Sequence, residues 1–170
     1  MKTVVSISLV LFLARSGAAQ DHGSGNPLSG RFAASSSQVV NLPAREVISR
    51  ASNPRTIPQL APSPGNVRVS GNTTSMNPIA GVPIRVHVTP QRTSETSVTH
   101  HIRGSMTARQ VIHARDIGGG RSVVSHAMAG QLHGPTRVAA PALPTVHNNG
   151  VNSALRRMGG GRGRGRGSRG

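Results

Sequence analysis

The side chains best suited to chemistry at neutral pH are eight histidines: His22, His87, His100, His101, His113, His126, His133 and His147. An imidazole titrates near 6.5 and ligates metals when neutral. Their spacing argues against a preformed centre. No two stand four apart as helical zinc ligands do, and no His-Glu-x-x-His string occurs. The four acids, Asp21, Glu46, Glu95 and Asp116, form no carboxylate pair. Cysteine is absent, which removes thiol nucleophiles, Cys-type zinc sites and disulfide scaffolds. There is no Gly-x-Ser-x-Gly elbow. The residues therefore predict a protein that is not an enzyme and needs no cofactor. One metal arrangement stands out. Cleavage after Ala19 would start the chain at Gln20-Asp21-His22, where an amine, two amides and the His22 ring form a square-planar set suited to Cu(II) or Ni(II).

Arginine carries most of the charge. The chain has 20 Lys and Arg against four acids, a net charge of +16 over 170 residues. Arg156, Arg157, Arg162, Arg164, Arg166 and Arg169 crowd the last fifteen positions, separated mainly by glycine. Arginine presents a planar fork of donors to phosphate, sulfate and carboxylate, so these six are the expected polyanion-binding residues. Such tails also bind single-stranded nucleic acid, but the chain has no Trp or Tyr on which bases stack. Arg156-Arg157 is a candidate dibasic processing site. Asn72-Thr73-Thr74 is the one N-glycosylation sequon.

The elements that would position these groups look sparse. Residues 1–19 read as a signal peptide: Lys2, an apolar run from Thr3 to Ala14, then Arg15-Ser16-Gly17-Ala18-Ala19. That run is too short to span a bilayer, and no later segment is apolar enough for a transmembrane segment. Residues 20–80 read as a disordered Gly/Ser/Pro-rich segment, with a marginal helix over 38–51 that places Leu42, Val47, Ile48 and Ala51 on one face. Residues 81–117 are the most order-prone. Val82, Ile84, Val86 and Val88 alternate with other residues, 97–104 suggests a second strand, and 105–116 suggests a short helix with capping-box spacing at Thr107 and Gln110. Residues 118–155 read as a flexible Ala/Pro/Gly segment, and 156–170 as an Arg-Gly-rich basic tail.

Leu, Ile, Val and Phe make up about 19% of the residues beyond 19, within the range of disordered chains of high net charge. The expected fold is mostly intrinsically disordered, with at best a small β-β-α-like patch near residues 81–117. The expected function is that of a secreted, polycationic, low-complexity component of an extracellular matrix. Its partners would be acidic extracellular polymers: acidic proteins, sulfated polysaccharide or the matrix of a shell, cuticle or other biomineral. In composition alone the chain resembles basic matrix proteins of shells and cuticles. A secreted cationic antimicrobial or host-directed effector is one alternative. An RNA-binding Arg-Gly protein, should the signal be false, is the other.

Overall fold

Inward-facing side chains at every second position define the longest strands. In Met106–Gly118, Met106, Ala108, Gln110, Ile112 and Ala114 face inward, and the residues between them face out. Eight such segments form one antiparallel sheet in the computed structural model, which describes residues 22–79 and 81–160. The strands are β1 (His22–Gly25), β2 (Arg31–Val40), β3 (Gly65–Ser70), β4 (Thr73–Asn77), β5 (Val86–Ser94), β6 (Ser97–Gly104), β7 (Met106–Gly118) and β8 (Arg121–Leu132). Two helices complete the fold: α1 (Ala44–Ala51) after β2, and α2 (Leu143–Gly160) after β8. Short 3-10 turns occur at Ile57–Leu60 and Gly134–Ala139. The sheet order is β1-β2-β8-β7-β6-β5-β4-β3. Chain neighbours are therefore sheet neighbours except that β2 pairs with β8 rather than with β3.

This fold overturns the expectation of a mostly disordered chain with at best a small β-β-α patch. Residues 22–77, expected to be loose, supply four strands and a helix. The segment 105–116, expected to be helical, is most of β7, because its inward side chains recur at period two rather than 3.6. Gly118, Gly119 and Gly120, which read as the start of a flexible stretch, form the β7–β8 hairpin turn. All three have positive φ, at 86, 61 and 69°, as a tight two-residue connection between long strands requires. Residues 122–130, at best nascent helix by sequence, belong to β8. The start of the expected basic tail, Arg156 to Gly160, is the last turn of α2. The signal segment 1–19 and residues 161–170 lie outside the described residues.

Pro43 stands at the N-cap of α1, and its side chain offers no capping bond. The cap comes instead from the far end of β7: Asp116 Oδ1 accepts from the Ala44 backbone N–H at 2.6 Å. A carboxylate there also faces the positive end of the helix. Asp116→Ala should lower stability by about 1 kcal/mol, read as a shift in the urea midpoint at unchanged slope.

The inner face of the sheet holds two apolar clusters. One joins Leu42, Val47, Ile48, Val98, Ile112 and Leu155, among others, under α1 and the C-terminal half of α2. The second joins Phe32, Ile57, Met76, Val88, Ile102 and Leu143, among others, nearer the start of α2. Helix α2 reaches the sheet closely because glycine lies beneath its approach. A Cβ at Gly25 in β1 would run into the carbonyl of Ala140, just ahead of α2.

Candidate functional site

Between the two clusters the inward positions turn polar on four adjacent strands. His100 on β6 pairs in register with Gln110 on β7, and His126 on β8 pairs with Ser36 on β2. All four are buried. Along each strand the polar residue interrupts an apolar alternation: Val98–His100–Ile102, Ala108–Gln110–Ile112 and Val124–His126–Met128. Helix α2 closes this belt from above with His147, Asn148 and Asn152. The Ser36 hydroxyl meets the Asn152 amide at 2.8–3.0 Å. Asn148 Nδ2 donates to the Ser35 carbonyl at 3.1 Å, and Gln38 Nε2 donates to the Asn152 carbonyl at 2.9 Å. These bonds fix how α2 sits on β2.

The other half of the belt is a relay. His100 Nε2 lies 2.7 Å from the Ala51 carbonyl at the end of α1. One end of the Gln110 amide lies 3.0 Å from His100 Nδ1, and the other lies 3.3 Å from His147 Nε2. The His126 and His147 rings meet edge to face, with centroids 5.4 Å apart. Burial pushes the His147 pKa down to about 3, and the neighbouring His126 and His100 push it the same way. Burial also lowers His100, against the opposing effect of its bonds to Ala51 and Gln110, with His101 lowering it slightly. The relay is therefore neutral at physiological pH.

Neutrality assigns the protons. A carbonyl only accepts, so His100 Nε2 carries hydrogen and Nδ1 is bare. The Gln110 amide, which can turn by 180°, must then present its NH2 to His100 and its oxygen to His147. His147 Nε2 donates to that oxygen, and His147 Nδ1 is left bare.

The relay forms one wall of a cavity between sheet and helix, on the side of the second cluster. Its volume is about 70 Å3. Apart from His100, Gln110 and His147 its lining is apolar, with no Asp, Glu, Lys or Arg. Met76, Met106 and Met128 line the floor, and Leu143 and Val146 line the helix side. His147 is mostly buried, with a minor part of its surface accessible. The volume falls below the several hundred Å3 of a drug-sized site. A ligand must be small, or the three flexible methionines must move aside.

The residues singled out in the sequence are not brought together here. Arg156 and Arg157 are exposed on the last turns of α2, and Arg156 Nε donates to the Asn152 carbonyl at 3.4 Å. Arg162, Arg164, Arg166 and Arg169 lie outside the described residues. Asn72 is exposed at the β3–β4 turn, its Nδ2 donating to the Pro90 carbonyl at 3.1 Å. His22 opens β1. Among the described residues no three His, Asp or Glu are placed to hold a metal, and no helix is long and apolar enough to cross a membrane. Sequence reasoning read Gln110 as part of a helix cap, whereas it faces inward on β7, and it treated His100, His126 and His147 as scattered. The available signal was the single polar residue at the centre of each strand's inward set.

No protein-family description matches the chain, and no curated protein does. Solved structures do share its fold. A START superfamily protein from Mycobacterium smegmatis superposes with a TM-score of 0.60 at 12% identity, over 75% of this chain and 96% of that one. A conserved protein from Geobacillus kaustophilus gives 0.59 at 11% identity, over 74% and 93%. An uncharacterised protein from Bacillus thuringiensis gives 0.56 at 12% identity, over 74% and 97%. The class these likenesses define is a START-like fold, an antiparallel sheet that grips a C-terminal helix. This ordered architecture overturns the reading of a disordered, low-complexity polycationic matrix or biomineral component, and with it the antimicrobial and RNA-binding alternatives. That reading rested on a chain unable to bury a core.

Proposed function

We propose that the chain is a binding protein, not an enzyme, that takes a small apolar molecule into the cavity between α2 and the sheet. The observation that carries this reading is the pairing of an uncharged apolar lining with a fixed polar wall at one end. Apolar walls supply affinity and a few placed polar groups set orientation. Catalysis is not needed to explain the histidines, because all three are packed in the belt. Export, expected from residues 1–19, remains part of this proposal on the strength of the Lys2-led apolar run.

Toluene tests the reading. A ligand that binds only the folded state stabilises it by mass action. Toluene near saturation should raise the melting temperature by several degrees. Ala61→Phe, which places a ring in the cavity from a buried lining position, should remove the rise. No rise in the unmodified protein, or a rise undiminished in Ala61→Phe, would overturn the proposal.

A further inference from the structure

We infer that the cavity selects uncharged ligands bearing a hydroxyl group, which donates its hydrogen to Nδ1 of His147; this rests on the binding function proposed above. The relay fixes the direction. Ala51 offers only an acceptor, so donors run in one sense from His147 Nε2 to Gln110, from Gln110 to His100, and from His100 to Ala51. Every polar atom in the relay is thereby matched except His147 Nδ1. That atom is a lone pair on a residue that lines the cavity and keeps a minor part of its surface accessible.

Three ligand chemistries are then separated. An alcohol or phenol donates to Nδ1 while its body lies against Met106, Met128 and Leu143. A ketone brings only acceptors, so its lone pairs face another lone pair and the group is buried without a partner. A carboxylate or ammonium group must shed its water in a lining that holds no opposite charge. The ring itself cannot serve as a cationic donor, because two further histidines crowd it and no carboxylate lines the cavity.

Cyclohexanol and cyclohexanone have nearly the same shape and isolate the hydroxyl. By calorimetry or amide-shift titration of the full chain, cyclohexanol should bind about tenfold more tightly than cyclohexanone, and cyclohexanecarboxylate should bind more weakly than either. His147→Phe keeps a ring in place but removes Nδ1, and should make the alcohol and ketone equal. Nitrogen NMR of the imidazoles gives a check that needs no variant. His147 should show a bare Nδ1 in the free protein, shifting with cyclohexanol but not with cyclohexanone. Equal affinities in the unmodified protein, an alcohol preference that survives His147→Phe, or a hydrogen on Nδ1 in the free protein would overturn the inference. If toluene binds and the two six-membered probes do not differ, hydroxyl selection fails while the binding function stands. If toluene does not bind, the binding function fails first.

Discussion

Taking the protein from pH 7 to pH 4 should cost about 3 kcal/mol of folding stability through His147 alone. In the unfolded chain this imidazole has its ordinary value of 6.5; in the fold it is held down to about 3. Between those values the unfolded state binds a proton that the folded state refuses, so stability falls as the pH drops through 6.5 and continues to fall until about 3. His100, lowered in the same direction, adds to the loss. Urea unfolding at pH 7, 6, 5 and 4 would show the midpoint falling with acid. His147→Gln isolates the effect. An amide can still donate to the Gln110 oxygen but does not titrate, so the variant should have a visibly shallower pH profile. Identical profiles for the two proteins would show that His147 is not held neutral by its surroundings. The other charged groups, including the excess of arginine, are common to both and cancel in the comparison.

The features that make the relay also hid the fold in the sequence. Local alternation was readable where inward residues are purely aliphatic. Val86 and Val88 stood out and do face inward on β5, and Leu42, Val47, Ile48 and Ala51 are all buried around α1. Elsewhere each strand spends an inward position on a polar residue, so β7 reads Ala-Gln-Ile and β8 reads Val-His-Met across their centres. Small side chains blur the pattern further. Ala33 to Ser37 of β2 carry no large apolar group, yet the strand pairs with both β1 and β8. A count of Leu, Ile, Val and Phe underestimates such a core, because alanine and methionine fill much of it. Ala34, Ala44, Ala51, Ala108, Ala114 and Ala154 are all buried, as are Met76, Met106 and Met128. The count also ignores the hydrogen bonds of a continuous eight-stranded sheet. The relay itself joins residues 51, 100, 110 and 147, a set that only the pairing of β6 with β7 and the return of α2 assembles. No local spacing encodes it.

Ile48→Ala should cost about 2–5 kcal/mol, a large share of the 5–15 kcal/mol of an ordinary domain. Ile48 is 0% exposed and belongs to the cluster that joins α1 to β6, β7 and α2. Truncation there leaves a hole in the cluster that also holds Val98, Ile112 and Leu155, and the packing of α1 against β6 and β7 limits how far it can close. A chain that behaved as a loose polycation would show neither a cooperative melt nor any response to losing three carbons at one position. The effect should also be confined. The polar belt of Ser36, His126, Gln110 and His100 lies between most of this cluster and the one lining the cavity, with Leu60 of this cluster also reaching the cavity wall, and the belt's hydrogen bonds hold position through direction rather than close contact alone. Ile48→Ala should therefore lower the urea midpoint while leaving toluene affinity within about twofold of the unmodified protein, measured well below the new midpoint. If affinity instead falls in step with stability, the two halves of the core move as one and the belt does not insulate the cavity. If stability is unchanged, α1 is not packed on the sheet as described.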